Sequence, residues 1–108
     1  MLDATTHTES HNALPITGEV DRVYSAIPQS TTSILTAGGQ PALDVERDNL
    51  SDTVVWNPWI EKSKGMSDFE PKDAYKRMVC VEVGAVDGWQ RLEPGESSEA
   101  GQMLKSHL

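Results

Sequence analysis

Two carboxylates in strand-like settings are the residues of this sequence best suited to chemistry. Glu82 lies in Met78-Val79-Cys80-Val81-Glu82-Val83. Alternation puts it on one face with Met78 and Cys80, while Val79, Val81 and Val83 take the other. Apolar neighbours on both faces predict partial desolvation, and a carboxylate taken out of water is a stronger general base. A glutamate on an edge strand that simply faces water is the commoner arrangement. Asp21, in Val20-Asp21-Arg22-Val23-Tyr24, carries the same two readings: it binds sugar hydroxyls, or it pairs with Arg22 or another neighbour as a solvated charge.

Other candidates are weaker. Trp56-Asn57-Pro58-Trp59 offers two aromatic faces for a sugar ring, though paired tryptophans in a small β domain usually pack against their own chain. His7-Thr8-Glu9-Ser10-His11 gathers two imidazoles and a carboxylate in a loop-like stretch with no completing ligand, so no metal site is expected. Cys80 reads as a small buried hydrophobe, because a reactive thiol needs an electropositive and open setting. The sequence has no glycine-rich phosphate loop and no Ser-His-Asp order.

The elements that position these residues are short strands. Residues 1–14 read as a loop or frayed start, and residues 15–108 as one β domain. A first strand is predicted within 16–26, centred on 20–24, where Val20, Arg22 and Tyr24 face one way and Asp21 and Val23 the other. Residues 31–37, Gly38-Gly39 and 41–47 read as a hairpin, with Leu43 and Val45 alternating. Strand 53–56 stops at Asn57-Pro58. Helical turns are allowed around 61–64 and 71–76, with Pro71 acceptable at a first helical position. The strongest strand is predicted over 77–86. A short strand over 89–92, a type II turn at Glu93-Pro94-Gly95-Glu96 and a last strand over 101–104 follow. The pattern is all-β, of sandwich type.

Composition bounds the function. The chain has 108 residues, 37% hydrophobic and 24% charged, which fits one ordinary globular domain. A formal charge of −8 argues against nucleic acid and against an anionic membrane surface. Lys62, Lys64, Lys72, Lys76 and Arg77 lie close in sequence, but Glu61, Asp68, Glu70 and Asp73 are interleaved with them. The single cysteine allows no internal disulfide and points to a reducing, cytoplasmic location. Residues 1–10 have neither the basic flank nor the apolar core of a signal peptide. No apolar run approaches the roughly 20 residues of a membrane span.

Four blocks occur in order: Gly18-Glu19-Val20-Asp21-Arg22-Val23-Tyr24, Asp52-Thr53-Val54-Val55-Trp56-Asn57-Pro58-Trp59, Gly65-Met66-Ser67-Asp68-Phe69 and Met78-Val79-Cys80-Val81-Glu82. With Leu92-Glu93-Pro94-Gly95-Glu96 near the end, they resemble the C-terminal third of the glucose-6-phosphate 1-epimerase family, the hexose-6-phosphate mutarotases of the aldose 1-epimerase superfamily. The wording of Asp68-Phe69-Glu70-Pro71-Lys72 is most like fungal members. The resemblance implies an all-β fold, the C-terminal part of a galactose-mutarotase-like β-supersandwich. It implies a hexose 6-phosphate substrate, no metal and no nucleotide cofactor. The glutamate of the Cys-Val-Glu block, Glu82 here, would be the general base, and the aspartate of the Asp-Arg-Val-Tyr block, Asp21 here, would contact the substrate.

The departures are informative too. The family's catalytic histidine lies in an upstream block of His-Thr-Tyr type, and its phosphate-contacting arginines lie earlier still; neither block is in this chain. His7-Thr8 sits too close to Asp21 to stand for the first, so His7 receives no catalytic role. Ser98 replaces a usual aromatic residue, Ala100 a usual glycine and Val83 a common proline. The resemblance therefore implies part of a longer enzyme beginning here at an internal Met. The alternative is a non-catalytic β-sandwich fragment or carbohydrate-binding module. The sequence sets no oligomeric state.

Overall fold

Strand β3, Pro41–Asp48, organises one sheet. The computed structural model describes residues 13–108. β2, Thr31–Leu35, pairs antiparallel with β3, and β3 pairs antiparallel with β6, Gly101–Ser106. The β2–β3 connection is closed by Thr36, whose carbonyl accepts from Gly39 N–H at 2.9 Å and whose N–H donates to the Gln40 carbonyl at 2.8 Å. Gly39 has φ 83, a conformation that costs a residue without Cβ nothing. Register places Thr32 opposite Val45, Ile34 opposite Leu43 and Val45 opposite Leu104. These residues share one face, centred on Val45 at 2% exposure. The opposite face carries Thr31, Ser33, Asp44, Glu46 and Lys105. There the Ser33 hydroxyl donates to Asp44 at 2.8 Å and His107 Nε2 lies 2.9 Å from the same carboxylate. The His107 ring first, and the Ser33 hydroxyl after it, hold the Asp44 carboxyl below the ordinary aspartate value.

The second sheet has the order β1-β4-β5, with β1 at Val20–Tyr24, β4 at Asp52–Asn57 and β5 at Cys80–Gly84. β4 is the central strand, and none of its residues is exposed. After it come a short helix α1, Trp59–Gly65, and a 3-10 turn, Ala74–Arg77. Among the described residues six strands, one short α-helix and one 3-10 turn meet the all-β expectation. No described helix is long and apolar enough to cross a membrane.

The chain divides into two compact units, one holding 55–80 with the residues up to 22, the other 23–54 and 81–108. In the first, Asn57 is wholly buried and its side chain ties three backbone groups. Its Nδ2 donates to the carbonyls of Tyr75 at 3.0 Å and Met78 at 2.9 Å, and its Oδ1 accepts from Trp59 N–H at 2.9 Å. Pro58 cannot donate a backbone N–H, so the helix entry rests on this amide. The Ser63 hydroxyl donates to the Trp59 carbonyl one turn back.

In the second unit the ties are charged. Asp52, 1% exposed, accepts from the N–H groups of Ala26 at 3.2 Å, Val86 at 2.7 Å and Asp87 at 2.8 Å. Arg47, 8% exposed, donates to the carbonyls of Leu50 at 3.3 Å, Ser51 at 2.7 Å and Ile27 at 2.8 Å, and also to that of Gln29. These bonds explain two differences from the sequence pattern. The strand predicted over 77–86 is only Cys80–Gly84. Arg77 is spent in the 3-10 turn, and the N–H groups of Val86 and Asp87 turn to Asp52 instead of a neighbouring strand. No strand forms over 89–92, because the chain bends at Gly88, φ 90. The turn at 93–96 is as predicted: Glu96 N–H donates to the Glu93 carbonyl at 2.9 Å, and Gly95 has φ 86.

Burial alone would raise the Asp52 pKa, but the amides of Asp87, Val86 and Ala26 outweigh it and hold the carboxyl below its ordinary 3.8. A depressed folded pKa means stabilisation that is whole above 3.8 and lost as pH falls through the lower folded value. Asp52→Ala should lower unfolding free energy by about 1–3 kcal/mol, because it leaves three part-buried amide donors without their carboxylate. Urea titrations should show this deficit at neutral pH and show it shrinking below the ordinary aspartate range; an equal deficit at every pH would count against the carboxylate's role.

Candidate functional site

β5 carries Glu82, and the side chain is exposed. The expected desolvation is corrected. Cys80, Val81, Val83 and Gly84 around it are only half-buried, and Met78, expected on the same face, lies outside the strand with its carbonyl turned to Asn57. Five residues of strand with half-buried flanks make no apolar shell. What the structure presents is a carboxylate on a hydrogen-bonded strand, open to an incoming ligand.

Asp21 lies in β1 and is half-buried. It belongs to the first unit, Glu82 to the second. Beside Asp21 in its own unit stand Glu19 and Lys62, whose ion pair is 3.0 Å. The hydrogen bond that Lys62 donates to Glu19 first, then the charges of Glu19 and Asp21, raise the Lys62 pKa above 10.5. Asp21 thus lies in a field that includes the Lys62 ammonium, itself paired with Glu19.

The aromatic pair resolves as packing. Trp56 is half-buried in β4. Trp59, with φ 57, sets its ring 5.0 Å from that of Tyr75 at 58°, an ordinary tilted aromatic contact. Cys80 is half-buried rather than buried, and it forms no disulfide. His7 and His11 lie outside the described residues. Among the described residues no group of three or more His, Cys, Asp or Glu side chains is placed to hold a metal ion.

Sequence reasoning missed Asp52 and Arg47. Asp52 opens the Asp-Thr-Val-Val-Trp-Asn block, one residue before the strand expected over 53–56; a carboxylate at the first position of a strand with no exposed residue has to be satisfied by hydrogen-bond donors. Arg47 continues the alternation of Leu43 and Val45 and therefore faces inward. Beside the loop that Asp52 holds, residues 49–51, 85 and 87–90 border an open surface depression, and the Trp89 side chain stands wholly in solvent.

Comparison with known proteins gives these features a context. Residues 2–105 match the family described as aldose 1-epimerase. A protein of Cenchrus ciliaris named "Putative glucose-6-phosphate 1-epimerase" is 43% identical over 89 residues, which is 82% of this chain and 26% of that protein. One of Haemophilus influenzae with the same name is 33% identical over 90 residues, 83% of this chain and 31% of that protein. The chain spans between a quarter and a third of the length of these curated relatives. The match runs through both units, through the strand that bears Asp21 and the strand that bears Glu82. The chain belongs to the aldose 1-epimerase family.

Proposed function

We propose that this chain supplies the Glu82-bearing portion of a hexose-6-phosphate mutarotase, which interconverts the α and β anomers of glucose 6-phosphate. The observation that carries the proposal is the similarity over more than four fifths of the chain to two proteins bearing that name. The exposed carboxylate of Glu82 on a fixed strand supports it. So does the half-buried Asp21 in the field of Lys62.

In the proposed reaction the Glu82 carboxylate takes the proton of the anomeric hydroxyl while an acid supplied from outside this chain protonates the ring oxygen. The C1–O5 bond breaks, and C1 becomes an aldehyde. Rotation about C1–C2 turns the other face of the carbonyl toward the C5 hydroxyl. On reclosure the C5 hydroxyl attacks C1 and gives its proton back to the acid, while Glu82 returns its proton to the anomeric oxygen, so substrate and product differ only in configuration at C1. Asp21 accepts a hydrogen bond from a sugar hydroxyl remote from C1. No metal or nucleotide takes part in this scheme, and a cytoplasmic setting fits a sugar phosphate and a chain with one thiol.

The isolated chain should show no conversion of α to β glucose 6-phosphate above buffer, since a base without its acid partner forfeits about 10²–10⁴-fold in rate. Polarimetry or a coupled assay on the purified chain checks this, and a clear rate would overturn it. In a full-length relative carrying this chain's sequence, Glu82→Gln should lower kcat by about 10²–10⁴-fold. Asp21→Asn should act mainly on KM, because its contact is made in ground state and transition state alike. Glu82→Gln in the chain itself should shift stability by no more than about 0.5 kcal/mol, as befits an exposed position. A larger loss by denaturant titration would give Glu82 a structural role instead.

A further inference from the structure

Glu82 sits in the middle of β5, a five-residue strand whose one neighbour among the described residues is β4. Side chains alternate along a strand, so a slip of one residue against β4 would turn Glu82 to the opposite face and set a valine in its place. A buried apolar face ordinarily fixes register. β5 has none: Cys80, Val81, Val83 and Gly84 are all half-buried, on both faces of the strand. Burial therefore leaves the direction of Glu82 weakly specified, and another constraint has to supply it.

Asp52 is placed to do so. It opens β4 and is 1% exposed. One carboxylate oxygen, Oδ2, accepts from two consecutive amides, Val86 at 2.7 Å and Asp87 at 2.8 Å, just past the end of β5. The other oxygen takes the Ala26 amide at 3.2 Å. Asp52, Glu82 and the three amides belong to the same unit. In an extended strand successive N–H groups point to opposite sides, so two neighbours converge on one oxygen only where the chain bends. The bend here is tight: a methyl group at Gly84 would stand 3.1 Å from Val86 Cγ2, and Gly88 takes φ 90. Moving β5 by one residue along β4 would carry each amide about 3.3 Å, beyond hydrogen-bond range. The extended residues 80–84 offer no second convergent pair in exchange.

We propose that Asp52 is a positioning residue for the mutarotase reaction, fixing the register of β5 through the Val86 and Asp87 amides so that Glu82 keeps the face from which it takes the anomeric proton. The role rests on Glu82 being the base. Asp52 itself is too deeply buried to meet a substrate, and it acts through the strand alone.

Amide exchange in the isolated chain reads the register without any reaction. Asp52→Ala should lower the protection of β5 amides about tenfold or more relative to those of β3. Val45→Ala, which removes a buried side chain from the other sheet, should not single out β5. In a full-length relative carrying this chain's sequence, Asp52→Ala should lower kcat by about 10–100-fold and move KM by less than about threefold. Added to Glu82→Gln, it should cost nothing further, because a residue that acts through Glu82 has no effect once the carboxylate is gone. Val45→Ala should leave kcat within about twofold. If the alanine variant does not fold, Asp52→Asn, with one neutral acceptor in place, should show the same effects in smaller measure. Unchanged β5 protection, an unchanged kcat, or an equal loss in the Glu82→Gln background would each overturn the positioning role alone. Normal turnover by Glu82→Gln itself would overturn the assignment of the base and the positioning role with it.

Discussion

The second unit depends on a carboxylate that is out of water and has no cationic partner among its contacts. Moving such a group inside costs several kcal/mol unless hydrogen bonds replace its hydration. Asp52 meets the requirement with three backbone amides drawn from two separate stretches, Ala26 and Val86-Asp87. Sequence-distant loops are thereby set by one side chain at the first residue of β4. Arg47 does the inverse with carbonyls, gathering Ile27 and Gln29 from one loop and Leu50 and Ser51 from another, while its Nε has no hydrogen-bond partner. Apolar burial is sparse beside this: Val20, Val45 and Val55 are the buried hydrophobic residues among those described. The largest side chains with almost no exposure are Asn57, Thr53, Asp52, Pro58 and Ser63. Specificity here comes from polar satisfaction, which tolerates little error because each unmet group is penalised in full.

Local signals carried most of the strand pattern. The hairpin was legible because Gly38-Gly39 interrupts two alternating runs, and β3 because Leu43 and Val45 keep period two. The turn at 93–96 was legible because Pro and Gly occupy the positions whose backbone they fit. Long-range demands were not legible. A valine-rich run suggests strand through 86, yet a carboxylate more than thirty positions earlier in sequence claims its last amides. Trp89 suggests strand or core by propensity, yet the bend at Gly88 carries it into solvent. Of the candidate site, the strand positions of Asp21 and Glu82 were readable. The openness of Glu82 was not, since burial is a property of what packs nearby rather than of alternation.

That openness bears on the proposed chemistry. A base permanently walled by apolar side chains would be hard for a hydrophilic sugar phosphate to reach. A base on an open strand is reached readily, and the ligand itself then removes water from it. The two carboxylates also differ in what steadies them. Asp21 has the Glu19–Lys62 ion pair nearby. Glu82 sits on β5, and the residues just past that strand are held by the Asp52 carboxylate.

Strand β6 shows a different kind of economy. It pairs with β3 along Gly101–Ser106, yet Met103 and Leu104, on opposite faces, are 63% and 58% exposed. Its attachment rests on ladder hydrogen bonds and little burial, beyond the Asn49 and His107 contacts at its two ends. Amides in such a strand exchange with solvent by local opening, without global unfolding. β3, by contrast, is tied through Arg47 to two loops, anchors that do not depend on β6.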